Sequence, residues 1–252
     1  MPFAPPVTGR PLRLYVLDYG LFRVHSGPRD VGIQGYLIST DADEHILIDT
    51  GFPQKYADDA NAATAEDKLG SFGKVLECTN ENMPAAQLAR AGLDLEDITL
   101  MIQTHTHIDH VGHMDACPQA PILIAADERA LARPLYWGKV QPMTWPDRKY
   151  LLVEDDCEIG PGLQVLFVPG HAPGQIAIMV DLPDTGPVLL TSDAISRPTE
   201  FDDRFAGSWD APLALYHAKR LMRLAEERDA SVIYGHCPEQ WRTLAKAPEF
   251  LS

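Results

Sequence analysis

The chain has 252 residues, of which 45% are hydrophobic, and its formal net charge is −15. Because phosphate recognition draws on clustered Lys and Arg, this acidic balance argues against nucleic acid as a partner. No stretch reaches the roughly 20 apolar residues of a membrane helix, and the first residues lack the basic and apolar parts of a secretory signal. We therefore expect a cytoplasmic protein with no membrane partner.

Short apolar stretches bounded by turn residues predict nine strands. In chain order they cover residues 12–18, 36–40, 46–49, 100–103, 122–124, 163–167, 176–180, 188–190 and 232–234. A proline at the start and a glycine after the end predict a helix over 84–91. An apolar stripe at helical spacing predicts a second helix over 212–228, with Asp210 as its N-cap. This pattern indicates a mixed α/β domain.

Two segments show no regular period. The segment 52–82 is rich in Ala, Asp, Asn and Glu, and we interpret it as an insertion or a mobile lid. The segment 136–150 carries Trp and Pro residues and is interpreted as a second irregular loop. The four cysteines are widely spaced and form no Cys-x-x-Cys pair, which is typical of reduced thiols.

The sequence Thr-His-Thr-His-Ile-Asp-His at positions 104–110 places three histidines and an aspartate within six positions. His105 and His107, two positions apart at the end of a predicted strand, can point to the same side. The turn that follows would direct Asp109 and His110 towards a second ion. Imidazole nitrogen and carboxylate oxygen are ligands that zinc prefers, so this run predicts two metal ions rather than a surface histidine cluster.

Three further candidate ligands each follow a predicted strand: His171, Asp193 and His236. Glycine precedes both histidines and permits the tight backbone with which a short side chain reaches a metal. Because the candidates extend from position 105 to position 236, one site would tie most of the chain together. We therefore predict a single domain over residues 1–252.

The order His-x-His-x-Asp-His, then a distant His, then Asp, then His resembles the signature of the metallo-β-lactamase superfamily. Within that superfamily the chain resembles most closely the N-acyl homoserine lactone lactonases. The stretches that carry this likeness are 14–18, 46–51, 104–110, 169–174, 189–194 and 205–207. The resemblance implies a four-layer αββα sandwich with the metals at one edge, where loops from both sheets meet.

The resemblance also implies a role for each of seven residues. One Zn²⁺ would be held by His105, His107 and His171, the other by Asp109, His110 and His236, and Asp193 would bridge the two. The ions would share a hydroxide that attacks a lactone carbonyl, and Asp109 would act as the catalytic residue that carries a proton to the leaving oxygen. Such ligands also accept iron, manganese or cobalt. By analogy we expect a small-molecule lactone as the partner and a homodimer as the assembly.

One position departs from the family pattern. The lactonases typically carry a tyrosine three positions after the bridging aspartate, where its hydroxyl can bond the lactone carbonyl oxygen, and here this residue is Ser196. A serine hydroxyl has a shorter reach, so substrate identity depends on what replaces the phenol. Ser196 and Phe22 are candidate substrate contacts. Further apolar candidates are Phe72, Met83, Trp137, Trp145, Phe201 and Phe205.

Other titratable residues have weaker signals. The resemblance makes Asp49, in an Asp-Thr-Gly turn, a support for a ligand imidazole or for loop backbone, while a plain turn residue remains open. His113 is either a supporting or a surface residue. Cys237 is left out of the site, because adjacent side chains on an extended segment point in opposite directions. No ligand signal attaches to His25, His45 and His217.

Three functions remain open at this stage. The favoured one is a dizinc lactonase that acts on an N-acyl homoserine lactone or on a ring-fused lactone such as pyridoxolactone. A second is another hydrolase of the superfamily, a glyoxalase II-like thioesterase or a β-lactamase. A third is a non-catalytic metal-binding or ligand-sensing module, suggested only by the missing tyrosine. We favour the first because all seven ligand positions are filled.

Overall fold

The structure of the protein, a computed structural model, describes residues 4–252 and contains two β-sheets. The seven-stranded sheet has the order β4-β1-β2-β3-β5-β6-β7 and the five-stranded sheet the order β12-β11-β10-β9-β8. The strands are β1 (Pro11–Val24), β2 (Arg29–Thr40), β3 (His45–Ile48), β4 (Gly73–Glu77), β5 (Leu100–Ile102), β6 (Ile122–Ala125), β7 (Tyr150–Val153), β8 (Cys157–Gly160), β9 (Leu163–Phe167), β10 (Ile176–Leu182), β11 (Gly186–Leu190) and β12 (Ser231–Ile233). The α-helices are α1 (Lys55–Glu66), α2 (Pro84–Arg90), α3 (Ala126–Arg129), α4 (Glu200–Asp203), α5 (Ala211–Glu227) and α6 (Pro238–Trp241).

Alternate residues of the strands face different cores, because successive side chains of a strand point to opposite faces. In β1, Leu14 and Val16 lie in a core that residues of both sheets share, while Leu17 lies in a core on the outer face of the first sheet. In β10, Ile178 lies in the shared core and Met179 lies in a third core. The two sheets therefore pack face to face, with a further core on each outer side.

Helices cover both outer cores. Tyr56 of α1 and Leu88 of α2 are buried in the core on the first sheet. Ala218 and Leu221 of α5 are buried in the core on the second sheet. The order of layers is helix, sheet, sheet, helix, which confirms the αββα sandwich that the resemblance implied.

The nine predicted strands are all present, and three more strands appear. β4, β7 and β8 were not predicted, and β1 continues beyond residue 18 through an irregularity between Asp18 and Gly20. The segment 52–82, in which no regular period was found and which was interpreted as an insertion or a mobile lid, contains α1 and β4, so the predicted absence of regular structure is wrong. β4 pairs antiparallel with the second half of β1, where Val75 lies opposite Phe22.

Both predicted helices are present, and the Asp210 carboxylate accepts a hydrogen bond from the Leu213 amide at 3.0 Å, as an N-cap does.

Five strands deliver their following loops to one edge of the sandwich. β3 and β5 are parallel neighbours, as are β11 and β12. β9 runs in the same direction as β11, because both are antiparallel to β10. The rings of His110, which follows β5, and His236, which follows β12, lie 5.8 Å apart between centroids, so loops of the two sheets meet here. Within residues 4–252, no helix has both the length and the apolar character that crossing a bilayer requires.

Candidate metal centre

Four residues form a first group of converging ligand atoms: His105, His107, His171 and Asp193. Nδ1 of His107 lies 3.0 Å from Nε2 of His105 and 2.9 Å from Nε2 of His171. Oδ2 of Asp193 lies 3.3 Å from the same His171 nitrogen and 4.0 Å from the His105 nitrogen. Nitrogen and oxygen ligands of a tetrahedral ion with bonds of about 2.1 Å lie about 3.4 Å from one another. The spacing of this group is therefore that of a metal site.

A second group comprises Asp109, His110 and His236. Oδ2 of Asp109 lies 3.8 Å from Nε2 of His110 and 3.4 Å from Nε2 of His236. Oδ1 of Asp193 approaches the same two nitrogens, at 3.5 Å and 3.0 Å. The Asp193 carboxylate thus presents Oδ2 to the first group and Oδ1 to the second, which is the geometry of a bridging ligand.

The proton positions leave free electron pairs inside the centre. Nδ1 of His110 donates to the Asp49 carboxylate at 2.8 Å, and Nδ1 of His236 donates to the carbonyl of Gly32 at 2.8 Å. Each ring therefore turns an unprotonated Nε2 inwards when it is neutral. Among the described residues, Nε2 of His110 and Oδ1 of Asp193 are buried without a hydrogen-bond partner. When the rings are neutral these buried acceptors have no donor, which is costly, so these residues fit divalent cations.

The two groups differ in their proton affinity. Burial, reinforced by His171, lowers the pKa of His107 to about 3, and burial lowers the pKa of His105 as well. Burial alone would also lower the pKa of His236, but the carboxylates of Asp193 and Asp109 raise it to about 9. The lowered pKa values favour neutral rings at His105 and His107, while the raised pKa of His236 favours its protonated form in the metal-free chain.

Asp49 supports both the loop and a ligand ring, as predicted. Its carboxylate is buried and accepts hydrogen bonds from the Gln103 amide at 2.8 Å and from the Thr104 backbone and hydroxyl at 2.9 Å and 2.6 Å. The fourth donor is Nδ1 of His110. Asp49 therefore connects Thr104, at the start of the segment 104–110, to His110 at its end.

The candidate substrate residues lie in two different settings. Ser196 is half-buried beside the second group, and its carbonyl accepts a hydrogen bond from the His236 amide at 2.8 Å. Phe22 is buried in the outer core of the first sheet, where it packs against Phe52 and Phe72. Ser196 thus adjoins the candidate centre, whereas Phe22 contacts the rings of Phe52 and Phe72 in the outer core.

Most of the other apolar candidates for substrate contact lie against neighbouring residues of the protein. Phe72 is 41% exposed and lies against Trp137, with 4.8 Å between ring centroids. Trp137 follows Tyr136, whose backbone bonds to both sides of His107. The sulfur of Met83 lies 3.1 Å from Nε2 of His113. Trp145 donates to a backbone carbonyl, and Phe201 packs on Phe205, which is buried in the third core.

Two residues near the centre had no signal in the sequence. Glu128 is a fully buried carboxylate that accepts hydrogen bonds from both loops of the first group. Trp209 is 63% exposed, and its amide donates to the carbonyl of His171. Glu128 lies three positions after the end of β6 in a sequence that looks like an ordinary short helix, and nothing in the local pattern pointed to Trp209.

Known proteins share this sequence and this fold. The sequence profile described as the Metallo-beta-lactamase superfamily matches residues 29–236. An N-acyl homoserine lactonase of Bacillus cereus is 34% identical over 223 residues, which cover 86% of this chain and 85% of that protein. The N-acyl homoserine lactonase AttM of Rhizobium radiobacter is 28% identical over 95% of this chain and 98% of its own.

A solved structure extends the comparison to the fold. It is an N-acyl homoserine lactone hydrolase with the product N-hexanoyl-L-homoserine bound at the catalytic metal center. The TM-score is 0.83 at 28% identity, and the match covers 97% of this chain and 100% of that one. The chain belongs to the metallo-beta-lactamase superfamily and, within it, to the family of the N-acyl homoserine lactonases. The superfamily and the two residue groups together imply that the protein depends on metal.

Proposed function

We propose that the protein is a dizinc lactonase that opens the ring of an N-acyl homoserine lactone or a related lactone. The observation that carries this proposal is the carboxylate of Asp193, whose two oxygens face two separate groups of ligand atoms. The relatives named N-acyl homoserine lactonases supply the substrate class. We treat residues 1–252 as one domain, because the groups draw on loops from both sheets.

In this proposal His105, His107 and His171 would hold the first ion, Asp109, His110 and His236 would hold the second, and the Asp193 carboxylate would serve both. When bound, two divalent ions lower the pKa of a water and polarise a carbonyl oxygen. Zinc agrees with the ligand set of imidazole nitrogens and carboxylate oxygens. The neutral rings of the first group present their electron pairs without first losing a proton.

Asp109 is the proposed proton carrier. Ring opening breaks the bond between the acyl carbon and the ring oxygen, and the oxygen that leaves needs a proton. The Asp109 side chain is 19% exposed, compared with 9% for Asp193, so it is the more accessible of the two carboxylates in the centre. Its Oδ2 is the oxygen that lies 3.4 Å from Nε2 of His236. The other can accept a proton from the attacking water and pass it to the leaving oxygen.

Ser196 and Phe22 are proposed to shape the substrate pocket. Ser196 is held by its amide, which donates to the Glu200 carboxylate at 2.7 Å, and by its carbonyl bond to His236. Its side chain can meet the lactone only through a short hydroxyl. Phe22 acts through Phe72, which it stacks on at 5.8 Å between centroids. A homodimer and a cytoplasmic location stay predictions, which sedimentation and cell fractionation would test.

The experiment that tests the function is proton release by zinc-reconstituted protein on a panel of substrates. The panel holds short- and long-chain N-acyl homoserine lactones, an aromatic ring-fused lactone, a thioester and a β-lactam. We expect rapid opening of at least one class of lactone. Faster turnover of the thioester or the β-lactam would select another hydrolase of the superfamily, and tight zinc binding with no turnover on any substrate would leave only a metal-binding module.

A further inference from the structure

A single buried carboxylate connects the two loops that carry the histidines of the first group. Glu128 lies in α3, directly after β6, and its side chain is shielded from solvent. Its Oε1 accepts hydrogen bonds from the backbone amide of Thr106 at 2.8 Å and from the Thr106 hydroxyl at 2.5 Å. Its Oε2 accepts one from the amide of Gly174 at 3.0 Å. Thr106 lies between His105 and His107, and Gly174 lies three residues after His171.

The donors around Glu128 are fixed in direction. The Thr106 hydroxyl accepts a hydrogen bond from the Leu135 amide at 2.9 Å, so its own proton points to Glu128. The two backbone amides can only donate. Three donors thus converge on two acceptor oxygens, which a carboxylate satisfies and a carboxamide cannot. Burial raises the pKa of Glu128, and the three hydrogen bonds oppose that rise.

The second loop approaches Glu128 as closely as the backbone allows. A Cβ atom built on Gly174 would lie 2.4 Å from Cβ and 2.6 Å from the backbone nitrogen of Glu128. Only glycine, which has no Cβ, permits this approach of residue 174 to Glu128. The loop of His171 is therefore seated against α3 at Glu128, and the side chain of this same residue bonds to both loops.

We infer that Glu128 is a positioning residue that fixes the distance between these two loops and thereby sets the affinity of the first group for its ion. This inference rests on the proposed function only in so far as the first group binds a metal. Glu128 itself faces amides and a hydroxyl, not the ligand nitrogens. It acts through Thr106 and Gly174, whose positions determine how His107 and His171 converge.

The test measures metal affinity one group at a time, with zinc and a competing chelator. In His236→Ala protein the ion that remains is held by the first group, and in His105→Ala protein it is held by the second. Glu128→Gln is introduced into each. We expect the dissociation constant to rise about 10–100-fold at the first group, which is the usual effect of losing a partner behind a ligand. At the second group we expect no change. Cobalt absorption spectra, taken in parallel, should change only for the first group.

A matched control is available far from the centre. Glu44 also accepts hydrogen bonds from two backbone amides and a threonine hydroxyl, those of Thr8 and Gly9. Glu44→Gln therefore makes the same chemical change against the same kinds of donor, at a partly exposed site, and we expect no effect on zinc affinity at either group. If Glu128→Gln fails to fold, Thr106→Val removes the hydroxyl that bonds to Glu128 and to the Leu135 amide, keeps both backbone amides that donate to Glu128, and should still weaken the first group.

Unchanged affinity at the first group, or equal weakening at both groups in folded protein, overturns the inference. Because the assay contains no lactone, its outcome is independent of turnover. Wild-type protein that binds two ions and opens no lactone would refute the proposed function while leaving the role of Glu128 intact. Active wild-type protein with no loss of zinc affinity in Glu128→Gln would do the reverse.

Discussion

Oδ2 of Asp49 lies 2.8 Å from Nδ1 of His110, and both side chains are buried. The carboxylate fixes the proton of the ring on Nδ1 and leaves Nε2 free to face the centre. The backbone of Asp49 has φ of 58°, in the left-handed region that asparagine also tolerates. The residue therefore combines an electrostatic role with a backbone conformation that few side chains adopt.

Replacement of Asp49 by asparagine separates these two properties. Asparagine can adopt the same backbone conformation. Its carboxamide, however, directs an NH₂ group towards one of the groups that donate hydrogen bonds to the carboxylate. We expect a loss of about 10–100-fold in zinc affinity or in kcat/KM, with the fold retained. Chelator competition and lactone kinetics measure the two effects, and circular dichroism checks the fold. Wild-type affinity and rate in Asp49→Asn would show that the contact with His110 is incidental.

His107 is the proposed ligand whose Nδ1 lies within 3.0 Å of two other ring nitrogens. His107→Ala removes the central side chain of the first group. We expect lactone turnover to fall by more than about 100-fold, which is a larger effect than that of losing a residue that only hydrogen-bonds to a metal ligand. His25 is exposed and outside the centre, so His25→Ala serves as the control and should keep the wild-type rate. Comparable turnover in the two variants would remove His107 from the mechanism.

Ser196→Tyr tests the departure from the family pattern. The phenol reaches further than the serine hydroxyl and can donate a hydrogen bond to the lactone carbonyl oxygen. One such bond is worth about 1 kcal/mol, so we expect kcat/KM for N-acyl homoserine lactones to rise by about fivefold to tenfold. Ser196→Phe has the same bulk without the hydroxyl and should bring no gain. An equal gain in both variants would assign the effect to packing.

Zinc binding should release protons in a pH-dependent way. In the metal-free chain the carboxylates beside His236 overcome the effect of burial and raise its pKa to about 9. A protonated ring has no electron pair to offer, so zinc must displace that proton at neutral pH. The apparent affinity of the second group should therefore rise with pH up to about 9. Calorimetry in two buffers of different ionisation enthalpy counts the protons, and binding at neutral pH without release would contradict this account.

Asp67 makes a stability prediction for the segment 52–82. Its buried carboxylate accepts hydrogen bonds from the hydroxyls of Tyr56 and Tyr136 and from the Lys55 ammonium. Asp67→Ala leaves the two buried tyrosine hydroxyls without this acceptor, and we expect the free energy of unfolding to fall by about 2–4 kcal/mol. Urea denaturation measures this. The exposed Asp58 is the control, since Asp58→Ala should change the value by less than about 0.5 kcal/mol. Equal effects would mean that the segment is loosely attached.

The sequence predicted best what local patterns determine. The apolar pattern that predicts a strand such as β9 lies within the strand itself, and the candidate ligands of the segment 104–110 lie close together in the chain. It failed for β4, a short edge strand whose pairing with Phe22 depends on β1 continuing past Gly20. It also failed for Glu128, because a buried carboxylate looks like any surface glutamate until the loops that donate to it are in place. Interactions between residues far apart in the chain account for both failures.

The central claim is that two ions, bound by two groups that share Asp193, are needed to open a lactone. The most direct measurement is lactone turnover by chelator-treated protein as zinc is added back one equivalent at a time. We predict no turnover in the metal-free protein and full turnover only when the second equivalent is bound. Full turnover without metal, or at the first equivalent with no further rise, would contradict the claim.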